Sequence, residues 1–364
     1  MSRHAVPVAA GPRSYDILIG ENLLDELGDL LDAACPASRY AVITDETVGG
    51  LYGERVRDAV DRYRPCDVVM FPPGEWNKTR EQWSALTDAL LHLGLGRDGA
   101  ILALGGGVAG DLAGFVAATY LRGIPYVQLP TTLLAMIDSS IGGKTGVDTG
   151  HGKNLVGAFH QPRLVVADVT TAATLPPVHV NAGLAEALKH GAIADAEYFG
   201  ALRAERAALQ ARDPAALVAA VRRSVEIKAA VVEADERETG RRAILNFGHT
   251  IAHALEAASG YELLHGEAVA IGMVLEAELG RRLGVTAADA AEAVATAVRE
   301  FSLPDSLPTD RVDDLIEVMS RDKKRRSGPV RFALLERLGQ PARTNTEDWT
   351  IEVPASHIRE VLDA

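Results

Sequence analysis

The chain has 364 residues, 47% of them hydrophobic and 24% charged, a globular profile with enough length for two ordinary domains. Its formal net charge of -13 excludes nucleic acid and anionic membrane as main partners, so any anionic ligand must be met by a local cluster of cations. No signal peptide or membrane-length apolar run is read, and Cys35 and Cys66 are too few for a disulfide framework, so a reducing cytoplasm is expected.

In chain order, SYDILIG reads as a first strand. YAVITDE (40–46), CDVVMFPPGE (66–75), GAILALGGG (99–107), IPYVQLPTT (124–132) and RLVVADV (163–169) follow as short β-branched runs ending at polar or glycine punctuation. Helical patterns such as TREQWSALTDALLHLGL and VAGDLAGFVAATYLRG stand between them. That alternation predicts a Rossmann-like parallel sheet with helices on both faces. After TLPP (174–177) the pattern turns to long helical stretches, with PVRFALL (329–335) reading as a late hairpin. The expected division is an α/β domain over residues 1–176 and a mainly helical domain over residues 177–364.

Several stretches carry chemistry. Gly105, Gly107 and Gly110 form a G-x-G-x-x-G after a strand and at the start of a helix, where backbone amides can approach a pyrophosphate. The usual ribose-holding acid about 20 residues on is missing. The acidic strand end at residues 44–46 makes Asp45 the candidate instead. Residues 137–159 are too polar and glycine-rich for a core element and read as a loop. They gather Asp138, Lys144, Lys153 and Asn154, and two lysines among glycines suit a phosphate or carboxylate. Lysine is scarce, with seven residues beside thirty arginines, which suggests that it is kept where a compact ammonium is needed.

Further on, Glu186 and Lys189 lie three apart on a helix, a spacing that by itself indicates an ordinary surface pair. Lys228 interrupts an apolar stripe and either snorkels to water or enters a pocket. The charged run 235–242 reads as a solvated turn. His249 and His253 share a helical face, and His265 opens another helix. Glu186, His249, His253, His265 and Glu267 are therefore candidate ligands of a catalytic metal, which normally takes three protein ligands. Spacing alone leaves the choice among them open.

Taken together, LALGGGVAGDLAGFVAATYLRG, QLPTTLLAMIDSSIGGKTGV, GKNLVGAFHQP, GLAEALKHG, LNFGHTIAHALE, LLHGEAVAIGM and RDKK resemble the 3-dehydroquinate synthase family of sugar-phosphate cyclases, in that family's order. The resemblance implies a homodimeric carbon–oxygen lyase of the shikimate pathway that uses NAD and one Zn²⁺ or Co²⁺. It would convert 3-deoxy-arabino-heptulosonate 7-phosphate to 3-dehydroquinate and phosphate. It implies Glu186, His249 and His265 as metal ligands, and His253, Lys144, Asp138, Lys189 and Asn246 as catalytic residues. Asn154, Lys228, Arg242, Lys323 and Lys324 would bind substrate, and Arg122 would reach the neighbouring subunit's site. Asp45, Glu75, Lys78, Gly105, Gly106, Gly107, Asp111, Thr131, Thr132, Lys153 and Thr174 would bind NAD. Asp148, His190 and Leu184 depart from the residues common in the family. Two other readings stand beside this one: a related cyclase of secondary metabolism and a metal-dependent glycerol or alcohol dehydrogenase. Lys228 with Arg242 favours an acid substrate over a neutral sugar.

Overall fold

A computed structural model describes residues 3–236, 240–260, 263–308, 312–325, 330–344 and 348–363, with the backbone alone for 320–325. Two compact units emerge. Met1–Leu175 with Pro214–Glu233 form the first, and Pro176–Asp213 with Ala234–Ala364 form the second.

The first unit is built on a seven-stranded sheet. Its strands are β1 (His4–Val8), β2 (Tyr15–Gly20), β3 (Tyr40–Asp45), β4 (Cys66–Phe71), β5 (Ala100–Gly105), β6 (Tyr126–Pro130) and β9 (Leu164–Asp168), with β7 (Lys144–Thr149) and β8 (Gly152–Phe159) forming a separate hairpin. The spatial order is β1-β2-β9-β6-β5-β3-β4, parallel throughout except for β1. Every residue of β5, β6 and β9 is buried, as expected for strands covered on both faces. From β3 the chain moves outward to β4 and then returns to β5 on the other side. The sheet's direction therefore reverses between β3 and β5, where α/β sheets bind ligands beyond their strand ends.

Two features of this unit were not expected. HAVPV forms the antiparallel edge strand β1, and Pro7 within it is tolerated because an edge strand has one unpaired side. Residues 144–159, read as loop, form the β7–β8 hairpin. The glycines that suggested a loop instead allow close passage of its strands: a Cβ on Gly146 would lie 2.7 Å from the Val156 carbonyl oxygen.

Helix Pro214–Ala234 belongs with the first unit up to Glu233, not with the helical region that surrounds it in sequence. Its buried stripe of Leu217, Val221, Val225 and Val232 and the bond from the Ala9 N–H to Glu233 Oε1 (2.7 Å) secure it there. Amphipathic periodicity shows that a helix has a core-facing side, but not which core it faces.

In the second unit the principal helices are Pro177–Ala194, His249–Ala258, His265–Arg282, Ala288–Glu300 and Val312–Arg325. PVRFALL contributes to two short ladders, Arg331–Phe332 with Ile351–Glu352 and Leu335–Arg337 with Gln340–Pro341. Among the described residues no helix is long and apolar enough to cross a membrane.

Candidate functional site

In the first unit the glycine turn closes β5 and opens helix Gly107–Thr119. Gly105 has φ +146°, and a Cβ there would lie 2.7 Å from Ala109 Cβ and 3.7 Å from Asp45 Oδ2. Gly106 caps the helix with no side-chain bond, so the turn's amides face the point where the sheet reverses. Asp45 ends the adjacent β3, where its Oδ1 accepts the N–H groups of Thr47 and Val48 at 2.9 and 3.0 Å. The Thr131 N–H donates to the Gly105 carbonyl at 2.9 Å, and Thr132 lies against Gly106. Thr174 is held through its hydroxyl by Tyr52 Oη at 2.8 Å.

Around Lys78 a polar network links this edge to the hairpin. The buried ammonium contacts Asp111 at 2.5 Å and Asn154 Oδ1 at 2.6 Å, while the backbone N–H of Asn154 donates to Asp148 at 2.8 Å. Asn154 has φ +55°, a left-handed conformation that asparagine tolerates better than most residues. Lys153 pairs with Glu75 at 3.3 Å. Burial raises the Asp111 carboxyl, opposed by Lys78, and the Asp148 carboxyl is raised by burial too. Lys144, at the start of β7, is exposed.

The structure decides the placement of Lys228. It is 5% exposed and reaches Asp138, with Nζ 2.5 Å from Oδ1 and 2.7 Å from the backbone carbonyl. An ammonium so tightly bound on a stripe of valines is a placed group, not a snorkelling one.

In the second unit three helices converge on one point. Glu186 and Lys189 sit within Pro177–Ala194, and they are not the surface pair their spacing suggests: they are 0% and 1% exposed, with Nζ 2.5 Å from Oε2. The other oxygen, Oε1, lies 3.5 Å from His249 Nε2 and 3.3 Å from His265 Nε2. The ligating atoms of Glu186, His249 and His265 all fall within 4.8 Å of one another. Each imidazole is anchored through its opposite nitrogen, His249 Nδ1 near the Phe247 carbonyl at 3.2 Å and His265 Nδ1 near Glu256 Oε2 at 3.4 Å. Anchoring at Nδ1 aims Nε2 at the common point, as in histidine metal sites. Two nitrogens and one oxygen suit a zinc-like ion and leave a coordination position open.

Electrostatics separates the two histidines. Burial, reinforced by Lys189, pushes His249 well below its usual value, so its lone pair stays available. Burial also acts against the charge on His265, but its hydrogen bonds to Glu186 and Glu256 prevail and hold it up at about 10. His253 is exposed, and its ring stands edge-on to His249 with 5.4 Å between centroids. Glu267 turns back to accept the Leu264 N–H at 3.2 Å, which occupies it as a helix cap.

Elsewhere in the second unit, Arg242 is buried and donates to the Glu236 carbonyl at 2.6 Å, while Asp235 accepts its backbone N–H at 3.0 Å. The run 235–242 is thus an organised turn in its described parts. Asn246 is half-buried in the turn Arg241–Asn246. Arg122 is exposed in the first unit, on a turn where both it and Leu121 have positive φ, +70° and +49°. Lys323 and Lys324 lie on helix Val312–Arg325, but their side chains are outside those described. Glu256 and Glu276 were missed in the sequence, although helical counting flags both. Glu256 is seven residues after His249, and Glu276 eleven after His265, each on the histidine's face.

A set of strand ends of dinucleotide-binding form in one unit and a buried Glu–His–His donor set in the other define the class, an α/β enzyme built for a nucleotide and a divalent metal. The chain belongs to the 3-dehydroquinate synthase family: the model described as 3-dehydroquinate synthase N-terminal matches residues 68–182, and that described as 3-dehydroquinate synthase C-terminal matches residues 183–325. A 3-dehydroquinate synthase of Symbiobacterium thermophilum is 49% identical over 335 residues, covering 91% of this chain and 93% of its own. Among solved structures, a 2-deoxy-scyllo-inosose synthase complexed with carbaglucose-6-phosphate, NAD⁺ and Co²⁺ superposes with a TM-score of 0.92 at 27% identity, covering 99% of both chains. The 2-epi-5-epi-valiolone synthase ValA of Streptomyces hygroscopicus subsp. jinggangensis, with NAD⁺ and Zn²⁺ bound, superposes with a TM-score of 0.86 at 32% identity, covering 96% of this chain and 95% of that one.

Proposed function

We propose that this protein is a carbon–oxygen lyase that converts 3-deoxy-arabino-heptulosonate 7-phosphate to 3-dehydroquinate and phosphate, with NAD and one Zn²⁺ or Co²⁺. The observation that carries the reading is the Glu186–His249–His265 donor set, each imidazole anchored through Nδ1, in a chain of this family. The dehydrogenase alternative is not favoured, because the family models and the relative at 49% identity belong to 3-dehydroquinate synthases.

When bound, NAD supplies a reversible hydride acceptor and the metal a Lewis acid for the adjoining oxygen. The chain's own residues do the rest. We assign NAD to Asp45, Glu75, Lys78, Gly105, Gly106, Gly107, Asp111, Thr131, Thr132, Lys153 and Thr174. Lys228 and Arg242 hold the substrate carboxylate, with Asp138 fixing the Lys228 ammonium for that task. Lys144, Asn154, Asn246, His253 and a lysine of the pair Lys323 and Lys324 meet the phosphate, and Asp138 and Lys189 meet hydroxyls. His253, exposed one turn after His249, moves a proton at the substrate. Together these cations orient a dianion and a carboxylate for elimination and ring closure, a contribution worth several kcal/mol.

The protein acts as a homodimer in which Arg122 serves the neighbouring site. Support comes from the left-handed pair Leu121 and Arg122, a conformation that costs about 1–2 kcal/mol per residue and persists where it is used. We place the enzyme in the cytoplasm, on two buried, unbridged cysteines suited to a reducing compartment.

The test is an incubation of the purified protein with the heptulosonate phosphate, NAD⁺ and Zn²⁺ or Co²⁺. Phosphate release without net NADH is the expected result. Sustained NADH accumulation, or activity confined to a neutral sugar phosphate, would overturn the assignment.

A further inference from the structure

Helices His249–Ala258 and His265–Arg282 each carry a proposed metal ligand as their first residue. Each also sends a buried carboxylate from farther along its length to the start of the other. From the second helix Glu276, 0% exposed, accepts the Gly248 N–H through Oε2 at 2.7 Å and the Ile251 N–H through Oε1 at 3.1 Å. The His249 helix has no side-chain cap of its own at Gly248, so Glu276 supplies one from its neighbour. From the first helix Glu256, 3% exposed, takes His265 Nδ1 through Oε2 at 3.4 Å. Glycine permits this closeness: a Cβ on Gly272 would overlap the Gly248 carbonyl oxygen, and one on Gly266 would overlap the carbonyl oxygen of Ala182, on the Glu186 helix.

We propose that Glu256 and Glu276 form a reciprocal clasp that presets His265 and His249 for the metal, so that both act as positioning residues although neither belongs to the ligand set. Burying two carboxylates is costly, and each here is matched to a group at a helix start. Glu276 fixes where the His249 helix begins, and therefore where its first side chain stands. Glu256 fixes the tautomer and rotation of the His265 ring, leaving Nε2 for the ion. The inference rests on the metal-site reading above and adds to it two residues outside the ligand set.

The experiment uses the full chain, stripped with a chelator and titrated with Zn²⁺ or Co²⁺ against a chromophoric competitor. A parent chain that binds no metal would defeat the metal-site reading itself. With a binding parent, Glu256→Ala and Glu276→Gln are each expected to weaken affinity about 10- to 100-fold and to alter the Co²⁺ absorption spectrum. Glu256→Gln retains a carbonyl acceptor for Nδ1 and is expected to recover most of the loss. Glu276→Asp, with shorter reach, replaces Glu276→Gln if the latter does not fold, with the same expectation. The clasp is refuted if Glu256→Ala and the folded Glu276 variant bind within about threefold of the parent, well short of the outer-shell effect. A Glu276 variant whose metal-free melting point falls while its affinity holds refutes it too, since that residue would then serve the fold alone.

Discussion

Gly248 immediately precedes His249 at the start of its helix, and its replacement by alanine gives a calculable loss. Its φ and ψ are +81° and -17°, in the left-handed region, which costs an alanine about 1–2 kcal/mol. The new Cβ would stand 2.8 Å from Met273 Cγ, and 3.0 Å from both Met273 N and the Val269 carbonyl oxygen. A methionine side chain can swing aside, but the two backbone atoms belong to a packed helix and cannot. Relief must come from moving the His249 helix, and overpacking of this kind costs about 1–3 kcal/mol. The total is about 2–5 kcal/mol, with weaker metal binding because His249 is the next residue. Chemical denaturation of chelator-treated protein measures the first effect, and competitive titration with Zn²⁺ the second. Gly200→Ala is the control: it sits exposed on helix Ala196–Ala204 with open space around it, and should gain up to about 1 kcal/mol. If Gly248→Ala unfolds at the parental midpoint and binds metal normally, the backbone contacts do not constrain the site and the reasoning fails.

Other changes separate the remaining forces. Lys189→Met leaves the fully buried Glu186 carboxylate with the His265 imidazolium as its remaining cation, and should destabilise the metal-free protein by less than the roughly 3–5 kcal/mol of a wholly unpaired carboxylate, with the gap narrowing when Zn²⁺ binds; melting with and without metal reads both. Lys78→Met should weaken NAD binding measured by calorimetry, because Asp111 and Asn154 both lose their shared ammonium. Glu278 is held at about 2 by its hydrogen bond to Arg281, with Arg282 assisting against burial. A lowered carboxyl stabilises above its unfolded value and loses that contribution as pH falls toward 2. Glu278→Gln should therefore cost about 1 kcal/mol at pH 7, after allowance for solvent screening, and nothing near pH 2 in pH-dependent denaturation.

The strands of the parallel sheet were legible because each is a β-branched run with clear punctuation, and the glycine turn at 105–107 because its spacing is mechanical. The histidine cluster was legible for a similar reason. Three imidazoles within seventeen positions are unusual; spacing alone does not distinguish among them, and the division that the resemblance implied is the one the fold's geometry supports. His249 and His265 direct Nε2 toward Glu186, whereas His253 is exposed. The hairpin at 144–159 escaped because glycine both breaks a pattern and permits close strands, and a sequence does not tell these apart. The burial of Glu186 with Lys189 escaped the spacing for a different reason, although the resemblance gave both residues a role at the site. A pair spaced three apart reads the same whether its helix is wetted or buried, and the deciding information is the set of neighbours brought by helices far away in sequence.

The unequal use of lysine and arginine takes on physical meaning once these pairs are placed. Arginine forms the exposed pairs, such as Arg55 with Asp25 and Arg281 with Glu278, where a planar fork grips a carboxylate at the surface. Lys78, Lys189 and Lys228 are instead 3%, 1% and 5% exposed, and each is held by one carboxylate, from Asp111, Glu186 and Asp138. An ammonium carries three donors around a point, so one carboxylate can anchor it while it still addresses a second group. Lys78 does this with Asn154, and Lys228 with the Asp138 carbonyl. A guanidinium gripped on both prongs would be larger and committed to its partner. In an acidic chain, buried lysines anchored in this way are how local positive charge can be kept compact enough to meet a phosphorylated acid.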